Sequence, residues 1–127
     1  KLYIKNRLSD IKNIKFRLFA DEKGSQGDTL IFNVSSANKA IQISKFMEER
    51  GLGTKILPEA FEWHFAGSWD HIFKDIDYYK HINIKQQWAN TEKLLRKSIC
   101  INIPVKLSHQ RCDEIVKIIK EGCKLYG

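Results

Sequence analysis

The sequence predicts an α+β domain in which a small antiparallel sheet of three to four strands packs with helices. The clearest strand contains four branched apolar residues that alternate with other residues, namely Ile99, Ile101, Ile103 and Val105. The last helix has an apolar face of five residues at helical spacing, namely Cys112, Ile115, Val116, Ile119 and Cys123. The predicted order is helix, two strands, helix, short strand, loop, helix, strand, helix, which indicates one small sheet packed with helices.

The first third of the chain is predicted to form the end of a helix and then a hairpin. Residues 1–12 are rich in Lys and Arg and have the composition of a helix end. A half-buried strand is predicted next, because three apolar residues alternate with basic ones, namely Ile14, Phe16 and Leu18. Two glycines in 20–28 allow the chain to reverse, so the β-branched and aromatic stretch 29–34 is its predicted partner strand.

The middle of the chain is predicted to contain a capped helix and a short strand. Ser35 or Ser36 supplies the N-cap of a helix that runs to about Arg50, and Gly51 supplies the left-handed residue that ends it. The extended segment 53–57 follows, and Pro58 ends it.

Two further helices are predicted in the second half. Residues 86–97 have helical composition, and the predicted buried side consists of Trp88, Leu94 and Leu95. Ser108 is the predicted N-cap of the last helix. Pro104 indicates that the preceding strand ends there or lies at an edge of the sheet, because proline cannot donate a ladder hydrogen bond.

Length and composition indicate a single folded domain over residues 1–127. No run approaches the roughly 20 apolar residues that span a bilayer, and the chain does not open with a secretory signal pattern. It also lacks an initial methionine, which indicates a piece of a longer polypeptide. Three cysteines without a C-x-x-C pair argue against a disulfide framework and a structural zinc site, so we expect a reducing, cytoplasmic compartment.

The formal net charge is +7, and part of this surplus is local. Within residues 1–17, six basic residues face only Asp10, a surplus of five. This surplus permits an anionic partner such as nucleic acid, but it is also typical of a solvated face or of a surface that covers acidic parts of a longer chain. No aromatic residues are interleaved here as in a nucleic-acid motif, so nucleic acid is not the expected partner.

The stretch EWHFAGSWDHIF, residues 62–73, is the most unusual part of the sequence. A metal site is disfavoured, because His64 and His71 do not have the spacing that places two imidazoles on one helical face. A hydrolytic triad of Ser68, Asp70 and His71 is disfavoured too, since near neighbours in one segment seldom converge. Two interpretations of this stretch remain open. It forms a wall of a sugar-binding site, or it forms an aromatic surface that packs against another domain.

Several turn motifs together resemble the C-terminal small domain of fold type I pyridoxal-phosphate aminotransferases, in the DegT/StrS group of sugar aminotransferases. These motifs are Gly51-Leu52-Gly53-Thr54, Pro58, Ile103-Pro104 and Leu107-Ser108. The aromatic stretch resembles members that aminate a keto-sugar acid, such as 8-amino-3,8-dideoxy-manno-octulosonate transaminases. The resemblance covers nearly the whole chain.

The resemblance implies transfer of an amino group, from a donor such as glutamate, to a keto- or aldehydo-sugar. In this family the large domain holds pyridoxal phosphate and precedes the small domain, and the enzyme is a homodimer. This chain is therefore expected to bind no cofactor and no metal, and to supply no catalytic residue. The expected substrate-binding residues are Trp63, His64, Trp69 and His71. The alternative is a free-standing basic α+β module that uses its first helix to bind an anionic partner.

Overall fold

The computed structural model describes residues 1–56 and 65–127 of the chain. Its centre is a four-stranded antiparallel sheet in the order β1-β2-β4-β3. The strands are β1 (Lys15–Phe16), β2 (Thr29–Asn33), β3 (Thr54–Ile56) and β4 (Ser98–Asn102). The helices are α1 (Leu2–Arg7), α2 (Ala37–Glu48), α3 (Asp70–Phe73), α4 (Ile84–Gln87), α5 (Ala89–Leu95) and α6 (His109–Tyr126). The predicted α+β class is confirmed.

One face of the sheet forms the main core with α1, α2 and α6. Alternate residues of β2 and β4 point to this face, and Leu30 lies opposite Ile101 while Phe32 lies opposite Ile99. The helices contribute buried apolar residues that include Ile4, Ile43, Met47, Ile115 and Ile119. The alternating apolar residues in the sequence therefore lie on the face of the sheet that the helices cover.

Both long helices begin at their predicted serine caps, and α2 is followed by its predicted glycine. The Ser36 hydroxyl accepts a hydrogen bond from the Lys39 N–H at 3.3 Å, and the Ser108 hydroxyl accepts one from the Arg111 N–H at 3.1 Å. After α2, Gly51 adopts a φ of +73°. The N–H groups of Gly51 and Leu52 then donate to carbonyls within the last turn of α2, which is the Schellman arrangement.

Two strands are shorter than the sequence predicts. Strand β4 ends at Asn102 rather than near Val105, which is 97% exposed, because Pro104 has no N–H for a further ladder bond. Strand β1 contains only Lys15–Phe16, and Leu18 is 93% exposed instead of half-buried. The N-terminal helix likewise ends at Arg7.

The predicted buried side of the helix before β4 is wrong. Leu94 is 48% exposed, and Trp88 and Leu95 are only half-buried. The physical reason is that Leu94 and Leu95 line a groove on the other side of the sheet and do not enter the main core. The sequence pattern identified these residues as apolar but did not predict how deeply their side chains are buried.

All three cysteines are buried and free. Burial raises the pKa of the Cys123 thiol to about 11 and also raises the pKa of Cys100. Within the described residues, none of the helices is both long and apolar enough to cross a membrane.

We expect iodoacetamide at about pH 8 to leave Cys123 unmodified in the folded chain, because the thiolate is the reactive form. The pKa above the reaction pH and the closed surroundings both disfavour this form. In denaturant, all three thiols should react. Mass spectrometry of the tryptic peptides measures the modification, and equal reaction rates for Cys123 in the folded and unfolded chain would contradict the prediction.

Candidate functional site

Three of the turn motifs meet around one cleft of about 400 Å³. The turn after α2 contributes Leu52, Gly53 and Thr54, the segment after β4 contributes Pro104, and the residue before the α6 cap is Leu107. These residues are separated by about fifty positions in the chain, and the antiparallel pairing of β3 with β4 brings them to the same end of the sheet. The cleft is therefore a product of the topology.

Arg111 holds the turn after α2 against the start of α6. Its guanidinium donates a hydrogen bond to the Gly51 carbonyl at 3.3 Å and forms an ion pair with Glu114 at 2.7 Å. Both partners lie on the surface, so the ion pair itself contributes little stability. The main effect of the two contacts is to hold the Arg111 guanidinium at the wall of the cleft.

Polar groups of the cleft are oriented by a short chain of hydrogen bonds. The Thr54 hydroxyl lies 2.6 Å from the Ser44 hydroxyl and donates to the Glu48 carboxylate at 2.9 Å. Because each hydroxyl has one proton, Ser44 must donate to Thr54. Lys55 and Asn102 also line the cleft, and none of its described lining residues is acidic. The arrangement suits a polar or anionic group.

The sequence analysis did not identify three of these polar residues, which are Lys55, Asn102 and Arg111. A weak signal was present for two of them. Lys55 is the polar residue inside a short strand, and Arg111 is the third residue of a helix whose cap was recognised. Nothing in the sequence alone indicated that they would share one cleft.

The structure describes two of the four predicted substrate-binding residues, Trp69 and His71. Trp63 and His64 lie outside the described residues. Trp69 is half-buried and immediately precedes α3, and its carbonyl accepts from the N–H groups of Ile72 and Phe73 at 2.9 and 3.1 Å. His71 is exposed on α3. Their predicted contact with a sugar is not tested and stays a prediction.

A second group of aromatic residues lies next to this segment, and we call it the aromatic cluster: Phe73, Tyr78, Tyr79 and Trp88. The ring of Phe73 stacks on Trp88 at 5.7 Å between centroids and tilts against Tyr79 at 4.7 Å. Tyr78 meets Tyr79 edge to face at 5.0 Å and is 75% exposed. The cluster ties the segment after α3 to the loop between α4 and α5.

Gly67 permits the close turn that precedes α3. A Cβ atom at this position would lie 2.3 Å from Cε1 and 2.5 Å from Cζ of the Phe65 ring. Phe65 is itself buried, so its ring has little room to move. The short 3-10 turn Ala66–Ser68 therefore depends on the absence of a side chain at 67.

We expect Gly67→Ala to destabilise the segment around α3 by about 1–3 kcal/mol, the usual cost of overpacking. Hydrogen exchange of the Ile72 and Phe73 amides measures this, because both donate to the Trp69 carbonyl. Gly53→Ala is the matched control, since a Cβ there meets nothing within 4 Å. Equal protection of these amides in both variants would contradict the role of Gly67.

Two other chemistries were disfavoured by the sequence, and the described residues give no support for either. They contain no group of three His, Cys, Asp or Glu side chains that could hold a metal ion. Where the structure describes the chain, no hydrogen bond joins the side chains of Ser68, Asp70 and His71.

The lysines whose burial is described do not have the surroundings of a lysine that carries pyridoxal phosphate. A lysine that carries pyridoxal phosphate is expected to lie in a closed cavity that excludes water from the reacting centre. The burial of sixteen of the seventeen lysines is described, and all sixteen are exposed or half-buried. None of these sixteen lysines therefore has the surroundings expected of a residue that holds pyridoxal phosphate.

Comparison with known proteins identifies a shared fold. No family model matches the sequence, and no curated protein matches it either. Among solved structures, one that matches is a Streptococcus pneumoniae protein described as a putative sugar aminotransferase, in its PMP-form. The TM-score is 0.64, the identity is 14%, and the match covers 98% of this chain. The chain spans only 29% of the length of that protein.

Proposed function

We propose that this chain is the C-terminal small domain of a pyridoxal-phosphate-dependent sugar aminotransferase. The observation that carries the proposal is the fold match over 98% of the chain to a segment of a sugar aminotransferase. The turn motifs named above add support, because three of them converge on one cleft. The proposal keeps glutamate as the amino donor, a keto- or aldehydo-sugar as the acceptor, a homodimer, and a cytoplasmic location.

In this proposal the cofactor belongs to the large domain, outside the chain. Bound pyridoxal phosphate serves as an electron sink for the carbon that gains or loses the amino group. The exposure of the described lysines supports this division, because none of them lies in a closed cavity. The small domain then contributes walls and polar contacts rather than the reacting groups.

The segment with Trp63, His64, Trp69 and His71 is proposed to line the substrate side of the active site. A tryptophan face suits the apolar face of a sugar ring, and a histidine can hydrogen-bond a hydroxyl or carboxylate at neutral pH. The exposure of His71 supports the proposal, because this imidazole is accessible to a ligand.

An amino-transfer assay tests the function. The full-length protein, incubated with nitrogen-15-labelled glutamate and a panel of keto- and aldehydo-sugars, is expected to place the label on one class of sugar. Mass spectrometry of the sugar products reads the transfer. Absence of transfer from every amino donor to every sugar in the panel would contradict the proposal.

His71→Ala in the full-length enzyme is expected to raise the KM for the sugar by roughly tenfold, which is the value of one lost hydrogen bond of about 1.4 kcal/mol. His81→Ala is the matched control, because His81 is also exposed but lies outside the proposed site. Steady-state kinetics against the sugar measure both variants. An unchanged KM for His71→Ala, or an equal change in the two variants, would remove His71 from the site.

The alternative of a basic module acting through its first helix has less support. Lys5 pairs with Glu22 at 2.6 Å, and Arg7 pairs with Asp113 at 3.5 Å, so both cations of α1 have acidic partners within the domain. The Lys1 ammonium donates to the Ser25 hydroxyl. These contacts favour a structural role for α1 over an anion-binding one.

A further inference from the structure

The second face of the sheet carries two adjoining grooves of about 590 and 350 Å³. They share Lys15, Asn33 and Leu94, so they form one continuous depression. We call it the cationic groove, with a rim of Lys12, Lys15, Arg17 and Lys97 and a floor of Ile31, Leu94 and Leu95. It lies on the opposite side of the sheet from α1, α2 and α6.

The described lining of the rim carries no compensating negative charge. Among residues 1–56 and 65–127, none that lines the two grooves is acidic. Within the described part of the chain, Lys12, Lys15 and Lys97 form no ion pair, and the Arg17 guanidinium lies over the Phe19 ring at 4.9 Å. Some cations outside the groove do have acidic partners; Lys120, for example, pairs with Asp10 at 2.7 Å. Four like charges around one depression create a positive potential that favours an acidic partner.

The floor is apolar, and hydrogen bonds of the Ser98 side chain hold it in place. Ser98, which is buried, lies 2.5 Å from the Asn33 side-chain amide and 2.7 Å from the Leu94 carbonyl. Both partner atoms are acceptors, so the Ser98 hydroxyl donates its one proton between the Asn33 side-chain oxygen and the Leu94 carbonyl. These bonds join α5 to the start of β4, and Leu94 and Ile31 line the same groove. The groove therefore has a defined shape with apolar surface at its base.

We propose that the cationic groove receives an acidic segment with apolar side chains from the remainder of the same polypeptide. This inference rests on the proposed function. Charge complementarity selects an acidic occupant, and the apolar floor selects one that also has apolar side chains. The source follows from the fold match, in which this chain spans 29% of a longer protein. In a protein with these proportions, most of the polypeptide lies outside this domain and is available to cover the sheet.

The lining favours a protein segment over a nucleic acid. Single-stranded nucleic acids bind on aromatic platforms on which bases stack. The floor consists of aliphatic side chains, and Phe16, the aromatic residue that lines the groove, packs edge to face on Phe32 at 6.3 Å. Its ring thus packs within the domain rather than serving as a stacking surface.

Zero-length crosslinking of the full-length protein tests the inference. A carbodiimide joins a lysine amine to a carboxylate in direct contact, with loss of water. We expect crosslinks from Lys12, Lys15 or Lys97 to Asp or Glu residues that lie outside residues 1–127 of the same polypeptide. Acetylation of these three lysines should be slower by roughly tenfold than that of the exposed control lysines Lys23 and Lys124, because reaction requires local opening.

A charge-reversal pair provides the matched variants. Lys15→Glu combined with Lys97→Glu should abolish the crosslinks and raise the acetylation rate of Lys12 to that of Lys23. Lys124→Glu should change neither, because Lys124 is exposed on α6, away from the groove.

Other outcomes overturn the inference. These are crosslinks only to a second copy, salt-sensitive retention of nucleic acid through the same lysines, and rim lysines that react as fast as the controls. The cofactor content of the same sample separates the two proposals. A cofactor-loaded protein with fully reactive rim lysines refutes the groove occupant alone, and a crosslinked protein without cofactor refutes the proposed function alone.

Discussion

Replacement of Phe32 by alanine is expected to lower the free energy of unfolding by about 3–5 kcal/mol, the usual cost of removing a buried phenylalanine. Phe32 is fully buried on β2, which lies between β1 and β4. Its backbone pairs with Ile99, and its ring meets Phe16 edge to face. The resulting cavity would lie between the sheet and the helices, where neighbouring side chains cannot easily fill it. Urea unfolding followed by circular dichroism measures the loss.

Val105→Ala is the control for this experiment. Val105 is 97% exposed and lies beyond the end of β4. Its replacement should change the free energy of unfolding by no more than about 0.5 kcal/mol, as surface substitutions usually do. Similar losses in both variants would show that the core is not where the structure places it.

Pyridoxal phosphate followed by borohydride is expected to label this chain weakly and at several lysines. The described lysines are exposed or half-buried, so none has the closed surroundings that would favour one site. Peptide mapping by mass spectrometry measures the distribution. The full-length enzyme is the control and should be labelled at a single lysine outside residues 1–127. Stoichiometric labelling of one lysine within this chain would contradict the proposed division between the domains.

The long elements of the fold were predictable because their signals are local. In α6, one apolar stripe and one serine cap determine both the face and the start of the helix. The end of α2 was predictable too, because the left-handed conformation required there favours glycine, and Gly51 occupies it. Strand β4 was found from its alternation, and only its end was placed too late.

Burial at the edge of the domain was less predictable. Leu94, Leu95 and Leu18 have the residue type of a core, but their exposure depends on the side of the sheet that each one faces. Leu94 and Leu95 lie on α5 and Leu18 lies beyond β1, so their positions depend on where these segments pack against the sheet, which a local pattern does not contain. An apolar residue on the second face of a sheet is buried only where something covers that face.

The candidate site was predicted in part. The turn motifs around Gly53 and Pro104 were recognised separately, but their convergence on one cleft with Lys55 and Arg111 follows only from the pairing of β3 with β4. For the aromatic stretch, the sequence proposed a ligand-facing role, and the structure adds that His71 is exposed and that Trp69 precedes α3. Residue type suggested the chemistry, whereas topology determined which groups share a surface.

The most direct test of the proposed function is the pyridoxal phosphate content of the purified full-length protein. The proposal predicts equimolar cofactor, attached to a lysine that lies outside residues 1–127. Digestion after borohydride reduction locates that lysine. A protein that binds no pyridoxal phosphate, or that attaches it to one of the seventeen lysines of this chain, would contradict the assignment of the chain as an aminotransferase small domain.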